Sequence, residues 1–95
     1  MILKKISYDV ELFKNDIKSK HINFIIDYFV EVKKEEVQNV YEDAYQNRRE
    51  TYHETPSKAR RNTLKNIQYL LDIGFIKDVK FKFCINKDFV PKNQQ

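Results

Sequence analysis

Apolar positions recur with a helical period through most of the chain and switch to alternation near its end. The first segment, Ile2 to Tyr8, is rich in strand formers and leaves room for a short N-terminal strand. Asp9 then offers a helix cap with Glu11 in the first turn, where acidic groups meet the positive end of the helix dipole. Val10, Phe13 and Ile17 share one face. Ser19 offers a second cap, after which Ile22, Ile25, Ile26 and Phe29 form a wide apolar stripe. The pattern over 9–31 fits either one helix or two. From Lys33, "KKEEVQNVYEDAYQNRRE" places Val37, Val40, Tyr41 and Ala44 at i, i+3, i+4 and i+7, which predicts an amphipathic helix. The period is lost over Asn47 to Glu54, which reads as fraying into a connection.

The next segment has a marked start and stop. Thr55 is a suitable N-cap, and Pro56 occupies the first helical position, where its missing N–H costs nothing. Gly74 follows the last periodic residue and can adopt the left-handed conformation that ends a helix. A helix over 56–73 results. Steps of 100° put Arg60, Thr63, Leu64, Ile67, Leu70 and Leu71 on one side. Lys58, Arg61, Asn62, Lys65 and Tyr69 fall on the other. Beyond it the period becomes two: Val79, Phe81, Phe83 and Ile85 alternate with Lys80, Lys82 and Cys84. Asn86 to Asp88 is turn-like, and Phe89–Val90 is read as a short returning strand. The tail from Pro91 to Gln95 is polar and expected to be flexible, leaving 1–90 as one domain.

Composition supports a folded globule. A chain of 95 residues with 41% hydrophobic content, seven Phe and six Tyr can fill a small core. The chain shows no apolar run of membrane-spanning length and no secretion signal, and its single Cys excludes an internal disulfide. A cytoplasmic location is the expectation. Lys, Asn, Ile, Tyr and Phe make up 45 of 95 residues, a bias toward A/T-rich codons that suits a low-GC bacterium, a phage or plasmid of one, or an archaeal virus alike.

Charge is unevenly placed. Residues 1–47 carry seven Lys against nine acids, whereas residues 48–95 carry eleven Lys and Arg against five acids. The second half is therefore suited to an anionic partner. A basic helix face in a Lys-rich chain is also what a plain solvated surface gives. A/T-rich coding does not inflate Arg, however, and all four Arg lie within 48–61. Arg60, on the apolar side, reads as a snorkelling or paired residue.

The order of helices followed by a hairpin, with Leu64, Ile67, Leu70, Leu71, Gly74, Phe75 and Ile76 leading from the last helix into a strand, resembles the winged helix-turn-helix family. The resemblance covers about residues 20–90. It implies an α+β, mainly helical fold of three or four helices with a C-terminal β-hairpin wing. One departure is plain: the family joins its second and third helices tightly, whereas "EDAYQNRRETYHE" is long. The resemblance implies that the helix 56–73 enters the major groove of double-stranded DNA and that Lys58, Arg61, Asn62, Lys65 and Tyr69 face it. Arg61 would suit guanine, Asn62 adenine, and Lys58 and Lys65 phosphates. Lys80, Lys82 and Lys87 would contact the backbone from the hairpin, with Arg48 and Arg49 adding to the field. Transcription regulation is the function implied. Winged helices also serve as protein contacts, so a module that inhibits a host-defence protein or assists replication is the alternative. Phe24, Ile25, Tyr28 and Phe29 exceed the needs of one small core and suggest a homodimer through the first helix.

No catalytic constellation is legible. His21 and His53 lack companions at metal spacing, Cys84 lacks a base, and one Gly cannot build a phosphate loop. Asp72, Asp78 and Lys80 only faintly resemble a nuclease arrangement. Neither an enzyme, a metal nor a cofactor is expected.

Overall fold

Asp9 begins the first helix through its side chain, which accepts a hydrogen bond from the Leu12 N–H at 3.1 Å. In the computed structural model, which describes residues 7–31, 36–37, 40–79 and 82–95, helix α1 spans Val10–Ile17 and helix α2 spans Lys20–Glu31. They are separate helices. Lys18 adopts a left-handed backbone, φ 56°, which ends α1, and the Ser19 hydroxyl then accepts from Ile22 N–H at 3.3 Å to begin α2. Lys14 bonds Asp27 at 2.7 Å across the two helices and fixes their pairing. Most of the strand expected over Ile2–Tyr8 lies outside the described residues.

Strand β1 (Glu36–Val37) precedes helix α3 (Val40–Glu50). The helix expected from Lys33 therefore starts later. Residues 33–35 lie outside the described residues, and Val37 pairs with Phe83 in a sheet. Val37 matches the helical period, but a β-branched residue also suits a strand, and the tertiary pairing decides. At the other end the helix continues through Arg48 to Glu50 instead of fraying at Asn47.

Helix α4 (Pro56–Asp72) carries the expected Pro at its start. Thr55 occupies the cap position through its backbone alone, without a side-chain bond. The helix ends in a Schellman arrangement: Phe75 N–H donates to Leu70 O and Gly74 N–H to Leu71 O, each at 3.0 Å. Gly74 has φ +86° and leads directly into β2 (Ile76–Val79).

The hairpin differs from what alternation alone implies. β2 pairs antiparallel with β3 (Lys82–Ile85), with Ile76 opposite Ile85 and Val79 opposite Lys82, so the chain reverses between Val79 and Lys82. No Gly or Asn marks that reversal. Asn86–Asp88 is a turn, but it leads out of the sheet. Asn86 Nδ2 donates to Gly74 O at 2.8 Å, and its Oδ1 accepts from Asp88 N–H at 3.1 Å. Phe89 then packs on Tyr8, Phe13 and Phe75 instead of forming a strand. With β1 on the far edge of β3, the sheet order is β1-β3-β2.

The core lies between the helices and the sheet root. Phe29 and Phe75 are fully buried and meet edge to face at 6.2 Å. Burying each is worth about 1.5–3 kcal/mol. Ile25, Ile26, Val40, Leu70 and Ile76 complete it. Ile25 and Phe29 are consumed here, and Phe24 and Tyr28 pack half-buried against the same cluster. The tail is also held. Pro91 is buried, Lys92–Gln94 form a 3-10 turn, and the Gln94 carboxamide bonds Asp9 N–H at 2.7 Å and Asp9 O at 2.9 Å. The result is a mainly helical α+β domain whose layout is compatible with a winged helix.

Candidate nucleic-acid interface

The buried face of α4 is Ala59, Thr63, Ile67 and Leu70, a stripe rotated from the one the larger apolar residues mark. Ala59 and Thr63 are small and fully buried. Small side chains there allow a close approach of α3, against which α4 makes its most extensive helix contact. The rotation turns Leu64 outward, where it is 58% exposed, and exposes Arg60 as well. Neither lies on the apolar side where the 100° steps set them. The small residues at i, i+4 are the sequence signal that marks the true inward face.

The outward face of α4 therefore presents Lys58, Arg60, Arg61 and Lys65, all exposed, around Leu64, with Tyr69 41% exposed one turn further on. Among the described residues none of these four cations takes part in an ion pair. From Pro56 the first acid in α4 is Asp72, which accepts from Gln68 at 2.8 Å. The N-terminal three turns are thus purely cationic, and the positive end of the helix dipole lies at the same end. Such a surface attracts and can neutralise polyanion phosphates.

Asn62, Arg48 and Arg49 are placed differently. Arg48 continues the Val40–Ala44 stripe by a further turn and is buried, 5% exposed, with its guanidinium bonded to Glu54 Oε2 at 2.7 Å. Arg49 donates to Glu54 O at 2.8 Å, and Glu54 N–H donates to Arg48 O at 3.1 Å. Asn62 is half-buried, and its carboxamide lies against the same carboxylate. These residues clamp the connection between α3 and α4 instead of projecting from it. The long "EDAYQNRRETYHE" segment is accordingly an ordered joint, with His53 in a left-handed turn at φ 54°.

Burial alone would raise the Glu54 carboxyl. The Arg48 guanidinium, with smaller help from Asn62 and His21, outweighs it and holds the group below its ordinary value. His21, from the start of α2, sits 3.8 Å from Glu54 with the Tyr52 ring against it at 4.3 Å. Burial, then Arg48, push the imidazole below its usual pKa against the pull of Glu54. A neutral His21 suits a joint whose charge is already balanced by one Arg and one Glu.

On the hairpin, Lys80 lies outside the described residues. Lys82 is half-buried on β3, and Lys87 is exposed in the Asn86 turn at the opposite end of the strand from the reversal. Lys77, exposed on β2 and opposite Cys84, is a further cation, N-terminal to the alternating segment from Val79. The structure thus brings Lys58, Arg61, Lys65 and Tyr69 together on one helix, adds Arg60 and Leu64 to them, and separates Arg48, Arg49 and Asn62 from them. Among the described residues no cluster of three His, Cys, Asp or Glu side chains could hold a metal, and no helix is long and apolar enough to cross a membrane. Comparison with protein-family models, with curated proteins and with solved structures gives no match for this chain.

Proposed function

We propose that the protein is a small winged-helix DNA-binding regulator that lays the N-terminal half of α4 in the major groove of duplex DNA. The observation that carries this reading is the outward face of α4. Lys58, Arg60, Arg61 and Lys65 are exposed, and free of ion pairs among the described residues, on a helix whose opposite face is locked into the core. A rigidly seated helix can hold side chains at fixed positions against base edges, which a flexible basic segment cannot. The chain order β1-α3-α4-β2-β3, with α4 directly before the hairpin and β1 on the far edge of β3, supports the same reading. Arg61 is the best base reader through bidentate bonding to guanine, while Lys58 and Lys65 meet phosphates.

The test compares wild type, Arg61→Ala and a Lys58→Gln/Lys65→Gln variant in fluorescence anisotropy with duplex DNA at about 0.1 M salt. On a selected target, Arg61→Ala weakens binding by about 1–3 kcal/mol, or roughly 5- to 150-fold. The Lys variant loses affinity for all duplexes and shows a shallower salt slope. Lys20→Gln, an exposed cation at the start of α2, serves as the control. Equal losses from Lys20→Gln and the α4 variants would reduce the effect to net charge and overturn the proposal.

A second reading has its own observation. Leu64 and Tyr69 are exposed apolar groups on the two flanks of the outward surface of α4, and such groups beside cations can anchor an acidic protein partner. A protein captured through α4, with duplex affinity weak and independent of sequence, would favour that reading.

A further inference from the structure

Among the described residues Leu64 is the most exposed of the large apolar side chains, at 58%. One exposed leucine alone needs no explanation. Its position makes this one informative. Leu64 lies one turn after Arg61 and beside Lys65, within a stretch of α4 whose other outward residues are all polar or charged. The core does not use it, since Ala59, Thr63, Ile67 and Leu70 complete the buried face without it.

We infer that Leu64 is a specificity-determining residue that reads the C5 methyl group of a thymine in the major groove. The inference rests on the DNA-binding reading above and specifies what the target must contain. Thymine is the base that presents an apolar group on the major-groove edge, and a branched aliphatic side chain meets it without leaving a polar group unpaired. Residues three apart on a helix are separated by about 4.5 Å along its axis, close to the ~3.4 Å between neighbouring base pairs. Arg61 and Leu64 therefore address adjacent steps. The target carries a thymine next to the guanine read by Arg61.

The test uses the full chain and a duplex obtained by selection from random sequence. Each thymine of that duplex is replaced in turn by uracil, which removes the methyl group and leaves the pairing edge intact. Wild type is expected to lose about fourfold in affinity at one thymine adjacent to the Arg61 guanine, the worth of one methyl removed from water. Leu64→Ala is expected to bind the thymine duplex several-fold more weakly and to be insensitive to uracil at that position, while Leu64→Met retains the discrimination. Circular dichroism checks that the exposed substitutions leave the fold unchanged. Sequence-specific binding in which no uracil replacement matters, or in which Leu64→Ala keeps the full uracil effect, overturns the role of Leu64 and leaves the DNA reading standing. Unaltered DNA binding by Leu64→Ala likewise overturns only the role of Leu64, whereas failure to select any duplex overturns both.

Discussion

Replacing Arg48 by Met tests whether the α3–α4 joint is held by charge or by packing. The Arg48 and Glu54 side chains are 7% and 12% exposed, and their contact at 2.7 Å is a short charge-assisted hydrogen bond. Met fills much of the same volume but leaves the carboxylate without a charged partner, with the Asn62 carboxamide and the neutral His21 ring at 3.8 Å as its remaining polar neighbours. Breaking a buried pair from one side costs about 3–5 kcal/mol, and the partial exposure of Glu54 places this case near 3. For a domain of this size that is roughly 15 °C in Tm. The pH dependence separates the mechanisms. In wild type the Glu54 carboxyl is held below its ordinary 4.5, so its contribution is full above that value and is lost as pH falls through the lowered one. In Arg48→Met the main influence that lowers the group is gone, so its folded pKa rises from the wild-type position, and protonation in acid removes the difference from wild type. The destabilisation measured by urea unfolding is therefore expected to be large at neutral pH and to shrink toward pH ~4, and Glu54→Gln added to Arg48→Met is expected to recover most of it. A loss below about 1 kcal/mol, or a loss equal at both pH values, would refute the electrostatic argument and leave packing as the whole role of Arg48.

Three further outcomes follow from neighbouring features. Thr63→Val is expected to stabilise the domain by about 1 kcal/mol in urea unfolding, since Thr63 is fully buried and its hydroxyl has no partner among the described residues; destabilisation would show that the hydroxyl is satisfied. Gly74→Ala is expected to cost about 1–2 kcal/mol from the left-handed backbone alone, because the nearest atoms to an added Cβ are 3.9 Å and 4.0 Å away. Gly74→Asn should cost less, and equal costs would contradict a purely conformational origin. His21 is held below its ordinary 6.5, so the unfolded chain takes up the proton first and stability declines as pH falls below that value; His21→Gln is expected to flatten the decline between about pH 6.5 and 5.5, and an unchanged slope would remove His21 from the acid response.

Features set by near neighbours along the chain are legible in the sequence. Asp9, Ser19, Pro56 and Gly74 mark helix ends by local chemistry, and each stands at a helix boundary. Lys58, Arg61, Lys65 and Tyr69 are legible because the helical period alone sets them opposite Ile67 and Leu70. Features decided across the fold are not. Arg48 continues an apolar stripe, and its partner Glu54 lies beyond the helix end, so a basic residue that reads as surface charge is a buried clamp. Val37 obeys the helix period but pairs with β3, and the reversal between Val79 and Lys82 carries no turn residue. Gln94 holds Asp9 from 85 positions away, which no local pattern encodes. Leu64 reads as inward because size suggests burial, whereas Ala59 and Thr63 occupy the inward positions and the close approach of α3 turns Leu64 to solvent.

The central claim is that α4 reads duplex sequence, and selection of bound duplexes from a random library tests it most directly. Wild type is expected to enrich a defined site containing a guanine next to a thymine, and Arg61→Ala is expected to lose the preference at the guanine while leaving the rest of the site recognisable. A library that stays random after selection, or the same site recovered unchanged with Arg61→Ala, would contradict the account.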